Sequence, residues 1–317
     1  MSTSPVPTGI VAPAVSVVVA TRNRPELLRK ALTSIAVQEY DGPVELVVVY
    51  DQSEPESGLA AGLPLTGQAG ERSVRVITNT RTPGLAGARN SGVAGSSGEL
   101  LAFCDDDDSW RPDKLRNQVS MLAATDAGLS VCGIVITIGD QTHVRVPTPA
   151  DVTVDELARR RVMEAHPSTV LVRRTAFDRI GWVDEDLPGG YAEDYDWMLR
   201  ALAAEKVAVV SKPLVEVLWH PGSFYTARWA VIIEALDYMV DKHAVIRNSP
   251  RGLARIYGQK AVAYAALRRR SDSSRWALRA LRLAPGEKRG YLALAIASGV
   301  VPANRVLQWA NARGRGI

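Results

Sequence analysis

The chain has 317 residues, of which 46% are hydrophobic and 23% charged, and it carries a formal net charge of +4. This is the composition of a soluble globular protein with enough sequence for one large or two modest domains. No run of 18 or more apolar residues exists, which excludes a membrane-spanning helix, and the N-terminus has neither the basic start nor the apolar core of a signal peptide. The two cysteines, Cys104 and Cys132, both lie in apolar runs. They read as buried reduced thiols, so a reducing, cytoplasmic setting is expected.

Residues 1–14 read as a flexible N-terminus. From Val15 the chain alternates between strand and helix patterns. "VSVVVA" (15–20) is a continuous apolar, β-branched run of the kind found in strands buried on both faces. "RPELLRKALTSIAVQ" (24–38) has helical apolar spacing, with Pro25 at a first-turn position. "VELVVVYD" (44–51) predicts a second buried strand, 53–72 a Gly-, Pro- and Ser-rich loop, and "VRVITN" (74–79) a third strand. "GLAGARNSGVAGS" (84–96) predicts a small-residue helix and "LLAFC" (100–104) a fourth strand. The expected fold class is therefore α/β: an open, mostly parallel sheet flanked by helices, followed by an α-helical C-terminal region. In such sheets ligands bind beyond the carboxyl ends of the strands. Three of these ends are polar: Thr21-Arg22-Asn23-Arg24, Asp51, and the run Asp105–Asp108.

The aspartate run carries the chemistry. Four adjacent carboxylates repel, and the repulsion grows as water is excluded. In an extended segment Asp105 and Asp107 share one side, Asp106 and Asp108 the other. Carboxylate oxygens at a strand end suit a hard divalent cation, Mn²⁺ or Mg²⁺, which would remove the repulsion.

Several stretches together resemble family 2 glycosyltransferases of the GT-A fold: "VSVVVATRNR", "ELVVVYDQS", "PGLAGARNSGVAGSSGELLAFCDDDDSWRPDKL" and "GWVDEDLPGGYAEDYDWMLRAL". They span roughly residues 15–222. The resemblance implies a transferase domain over 15–222, with a nucleotide-sugar half at about 15–115 and an acceptor half at about 116–222. It implies that Thr21, Arg22, Arg24 and Asp51 hold the base and ribose of a nucleotide-diphospho-sugar, and that Arg89 lies against the diphosphate or ribose. Asp106 would lie near the ribose and Asp107 would ligate the metal. With four aspartates the register stays open by one, so Asp105 and Asp108 remain in play. His220, in "VEVLWHPGS", matches a segment that could complete the metal site. Two positions depart from the family pattern: Tyr50 precedes Asp51, and Ala20-Thr21-Arg22 stands at the first turn.

Moving a sugar to a hydroxyl requires a stabilised leaving diphosphate and a base for the hydroxyl proton. In "YAEDYDW" (191–197) the resemblance makes Asp194 that base, with Glu193 beside it contacting the acceptor. His166, Ser168 and Trp197 are expected on the acceptor side, and Asp196 reads as a solvated helix position. One base with no covalent carboxylate partner implies a single displacement with inversion. The expected donor is a UDP- or dTDP-sugar and the acceptor a glycan, lipid-linked or small molecule, as in cell-surface polysaccharide synthesis. A sugar-1-phosphate nucleotidyltransferase is the alternative, but no glycine-rich loop follows the first strand. A non-catalytic carbohydrate-binding module on the same fold is another.

The remainder, 223–317, reads as basic helices. Residues 225–317 hold 17 Lys and Arg against five Asp and Glu, whereas 1–224 hold 21 against 29. A basic helical region seeks an anionic neighbour. Peripheral contact with an anionic membrane at its inner face is one expectation. Nucleic acid is not expected, because no reading motif accompanies the charge.

Overall fold

The parallel half of the sheet is built as the apolar runs require. In a computed structural model that describes residues 12–139, 141–162, 164–218 and 228–299, Val15–Thr21 forms β1, followed by helix α1 (Pro25–Ala36), β2 (Val44–Tyr50) and β3 (Arg72–Thr78). Helix α2 (Leu85–Ala94) leads into β4 (Leu100–Asp105). Strand β1 pairs in parallel with β2 on one side and β4 on the other. Alternate residues feed opposite faces: Val18, Val47 and Phe103 enter one core, and Val17, Val19 and Cys104 the other. The register sets Thr21 opposite Tyr50 and Ala20 opposite Asp105, so the polar strand ends meet at one edge.

One departure from the sequence reading has a clear cause, and one expected helix shows why its residues are small. Strand β3 starts at Arg72, inside the expected loop, because that guanidinium is buried against carbonyls: it donates to those of Ala36, Gln38, Tyr40, Gly42 and Glu71 at 2.8–3.1 Å. Helix α2 is pressed onto the sheet so closely that a Cβ on Gly92 would lie 2.3 Å from Val18 Cγ1. Its small residues permit that approach, which in turn buries Arg89.

The second half is mixed. Strand β5 (Ser109–Trp110) and helix α3 (Lys114–Ala123) precede β6 (Leu129–Ile138), β7 (Gln141–Arg145), α4 (Val154–Arg159) and β8 (Leu171–Arg173). Helices α5 (Arg174–Ile180) and α6 (Glu193–Ala204) and strand β9 (Val207–Leu218) follow. The sheet order is β3-β2-β1-β4-β8-β6-β9-β5, with β7 on β6. Strand β8 runs antiparallel between β4 and β6, and so joins the halves.

Helices α7 (Trp229–Lys242), α8 (Ala244–Arg247), α9 (Pro250–Ala266), α10 (Arg270–Leu283) and α11 (Lys288–Ala297) complete the described chain. Ile232, Leu236, Met239, Ile246 and Ile256 from this region share a core with Phe103, Phe177 and Trp197. The region also grips α6 through ion pairs. Asp196, expected to be solvated, is 0% exposed. Its Oδ1 lies 2.8 Å from both His243 Nε2 and Lys242 Nζ, and its Oδ2 accepts from Arg200 Nη2 at 2.9 Å. A helical pattern reveals which residues share a face but not which distant cation covers one of them.

Burial alone would raise the Asp196 pKa, but the bonds from His243 and Lys242 and the charge of Arg200 outweigh it and hold it at about 2, against 3.8 for the free group. The stabilisation is thus complete above pH 4 and lost as pH falls toward 2. Asp196→Asn is expected to cost about 2 kcal/mol at neutral pH and to remove this part of the acid dependence, as read by urea unfolding at a series of pH values.

Candidate functional site

The four aspartates do not stay extended. Strand β4 ends at Asp105, Asp106 and Asp107 form a turn, and Asp108 N–H donates back to the Asp105 carbonyl at 3.1 Å. The turn replaces the expected alternation with a different grouping. Asp106 and Asp107 face the first turn of the chain: Thr21 Oγ1 donates to Asp106 at 2.7 Å, and Arg24 Nη1 reaches Asp106 at 3.3 Å and Asp107 at 2.9 Å. Asp105 and Asp108 instead gather with His166, their ligand atoms all within 4.8 Å of one another. Ser168 holds this second group, donating to Asp108 at 2.5 Å and accepting from Asp105 N–H at 3.0 Å.

These carboxylates are short of cations. Burial, then the charges of Asp105 and Asp106, push Asp107 up to about 6. Asp106 is raised by burial despite Thr21 and Arg24, and Asp108 is raised well above the ordinary range by burial and Asp105. His166 is lowered by burial against the pull of Asp105, which leaves its ring neutral at pH 7. A neutral imidazole and several carboxylates suit a Mn²⁺-type ion. The side chains of Asp105 and Asp107 are 25% and 22% exposed, against 9% for Asp106 and 2% for Asp108, so these two are the most accessible of the four.

Asp51 sits at the next strand end. Its carboxylate accepts from Asn79 Nδ2 at 2.8 Å, Gln52 Nε2 at 2.9 Å and Gly84 N–H at 3.1 Å. Burial opposes ionisation, but these bonds and the charge of Arg22 keep its pKa low. The side chain of Arg22 is exposed above it.

Arg89 links this edge to α6. Its Nη2 donates to Asp105 at 2.8 Å and its Nη1 to Glu193 at 2.7 Å, with both it and Glu193 buried. Helix α6 begins after Ala192, held at φ 69°, a costly left-handed conformation that aims Glu193 and Asp194 from the helix start. Burial and the neighbouring Asp194 push Glu193 up to about 7 against the pull of Arg89. Asp194 goes the other way: burial would raise it, but Arg161, Arg89 and His166 hold it below the usual range. Arg161 Nη2 donates to it at 2.7 Å. Sequence reasoning missed Arg161, which sits in a run of three arginines that reads as solvent-exposed, and also Asn79.

The remaining expected residues fall as follows. Trp197 is buried beside Phe103 and Phe177, its Nε1 donating to the Gly181 carbonyl at 3.0 Å. His220 lies outside the described residues.

The chain is similar to known proteins in both sequence and fold. The family described as "Glycosyl transferase family 2" matches residues 16–181, more than half of the chain. The chain belongs to the family 2 glycosyltransferases. It is 29% identical over 208 residues to the uncharacterized glycosyltransferase YwdF of Bacillus subtilis, covering 65% of this chain and 73% of that one. It is 23% identical over 197 residues to WfgD of Escherichia coli, named as a UDP-Glc:α-D-GlcNAc-diphosphoundecaprenol β-1,3-glucosyltransferase, covering 62% and 73%. The succinoglycan biosynthesis protein ExoO of Rhizobium meliloti is 33% identical over 140 residues, covering 44% of this chain and only 38% of its own length. The fold matches Staphylococcus aureus TarS 1–349 in complex with UDP-GlcNAc (TM-score 0.58, 17% identity, 95% and 92% covered). It also matches the mannosyltransferase PcManGT of Pyrobaculum calidifontis with GDP-Man and Mn²⁺ (TM-score 0.54, 20% identity, 96% and 83% covered).

Removing Arg89 strands two carboxylates. Arg89→Met should cost about 3–5 kcal/mol in chemical unfolding, and adding Glu193→Gln to that variant should recover part of the loss; strictly additive losses would refute the linkage.

Proposed function

We propose that this glycosyltransferase moves a sugar from a nucleotide-diphospho-sugar, with UDP or dTDP as nucleotide, to an acceptor hydroxyl, in a single metal-dependent displacement with inversion. The observation that supports this reading is the Arg89 bridge, which ties Asp105 of the aspartate turn to Glu193 beside Asp194. The transferase domain is assigned to 15–222 and the helical region to 223–317. Asp51, with one carboxylate lone pair beyond its three internal bonds, would accept from the base; Thr21, Arg22, Arg24 and Asp106 would line the ribose side. A divalent cation, Mn²⁺ or Mg²⁺, would be held by Asp107 and Asp105, with Asp108 and His166 behind them, and when bound it neutralises charge on the leaving diphosphate.

On the acceptor side, Asp194 is ionised at neutral pH and takes the hydroxyl proton. Arg161 fixes its Oδ2, and the α6 N-terminus favours its charge. Glu193, more basic and locked on Arg89, would contact the sugar. WfgD's named lipid-linked acceptor supports a similar acceptor class here.

Contact with an anionic membrane is assigned to the outer face of α10. Leu278 is 47% exposed and Leu283 39%, among the exposed Arg275, Arg279 and Arg282. Apolar residues flanked by arginines complement an acidic lipid surface. Among the described residues no helix is long and apolar enough to cross a membrane.

Three outcomes are expected. UDP or dTDP should raise thermal stability only with Mn²⁺ present. Asp107→Ala should lose that increment, while Asp194→Asn keeps it and loses about 10²–10⁴-fold in transfer rate; transfer at wild-type rate by Asp194→Asn would sink the assignment. In flotation assays the protein should bind vesicles containing phosphatidylglycerol but not pure phosphatidylcholine vesicles, and Leu278→Glu combined with Arg279→Glu should abolish binding.

A further inference from the structure

Arg255 packs against Tyr195, the residue after Asp194, and two further arginines from separate elements act on its charge. Arg255 on α9 is 7% exposed. Its Nη2 donates to Tyr195 Oη at 2.8 Å and its Nη1 to Gln259 Oε1 at 3.4 Å, while its Nε has no partner. Among the described residues no carboxylate pairs with it. Arg289, in the first turn of α11, crosses α9 where Gly258 leaves room: a Cβ on Gly258 would lie 2.9 Å from Arg289 Cβ. Arg289 Nη1 pairs with Glu287, and its Nε is also buried without a partner. Arg161 is the third, paired with Asp194. Burial lowers the Arg255 pKa, and the charges of Arg289 and Arg161 lower it further.

Asp194 and Glu193 act on Arg161 and Glu287 pairs with Arg289, but Arg255, the most buried of the three guanidiniums, is the one without a carboxylate partner among the described residues. A buried, uncompensated cation is costly, and a bound anion removes the cost. Guanidinium N–H groups match the oxygens of a phosphoryl group. The donor diphosphate belongs at the aspartate turn, whereas Tyr195, which Arg255 holds, directly follows the proposed base.

We propose that Arg255, Arg289 and Arg161 form a binding site for a phosphate or diphosphate group carried by the acceptor. The assignment to the acceptor rests on Asp194 being the base. A lipid diphosphate and a soluble sugar phosphate present this same chemistry.

The test is calorimetric titration of the full chain, in EDTA, with inorganic pyrophosphate, geranyl diphosphate and glucose 1-phosphate. Pyrophosphate should bind, and Arg255→Gln and the more exposed Arg289→Gln should each weaken it at least tenfold, while Asp107→Ala on the donor side leaves it unchanged. Tighter binding of geranyl diphosphate than of pyrophosphate would identify a lipid source, and tighter binding of glucose 1-phosphate a soluble one. No binding to the wild type, unchanged affinity in Arg289→Gln, or loss in Asp107→Ala instead would overturn the proposal. Failure of the donor reading is seen separately, as absence of UDP or dTDP binding with Mn²⁺, and does not alter this titration.

Discussion

Six carboxylates crowd one edge of the sheet with too few cations among them. Asp105, Asp106, Asp107 and Asp108 come from the end of β4, and Glu193 and Asp194 from the start of α6. Arg24, Arg89 and Arg161 are the arginines paired with them. Burial drives Asp106, Asp107, Asp108 and Glu193 up, helped by neighbouring acids, and only at Asp194, beside Arg161 and within reach of Arg89, do the cations outweigh it and keep the group ionised. A fold tolerates such a deficit where function uses it. The surrounding fold serves to hold these groups apart from water and in register, through parallel pairing of β1 with β4 and the close packing of α2.

The helical region supports the same edge from behind. His243 and Lys242 hold Asp196, and Arg255 holds Tyr195, the two residues that follow Asp194 on α6. The strained Ala192 and the acidic first turn are therefore fixed from both sides, by Arg89 in the sheet half and by α7 to α9 in the helical half. This explains why the helices share a hydrophobic core with Phe103 and Trp197. They contribute to the position of the acidic pair as directly as the sheet does.

The strands of the parallel half were legible because a strand buried on both faces is nearly all apolar, as Val15–Ala20 and Val44–Val49 are apart from Ser16 and Glu45, which bond each other. The acidic edge was legible because four aspartates after such a strand have few structural uses. What stayed hidden depends on long-range partners. Arg72 reads as loop until its carbonyl cage is assembled, and Asp196 reads as solvent-facing until His243 arrives from 47 positions away. The grouping within Asp105–Asp108 was misjudged because period-two alternation assumes an extended chain, and a turn pairs the first aspartate with the fourth. Glu193 and Asp194 came from family resemblance alone; their opposite pKa shifts come from burial at Glu193 and from Arg161 at Asp194, which no local pattern marks.

The account stands on the charge deficit at the aspartate turn being met by a divalent cation. Anomalous diffraction from crystals soaked in Mn²⁺ and UDP tests this most directly. The account predicts one manganese peak within about 2.2 Å of carboxylate oxygens from Asp105 or Asp107, with the nucleotide diphosphate beside it. A nucleotide bound in the cleft with no manganese at those carboxylates would contradict it.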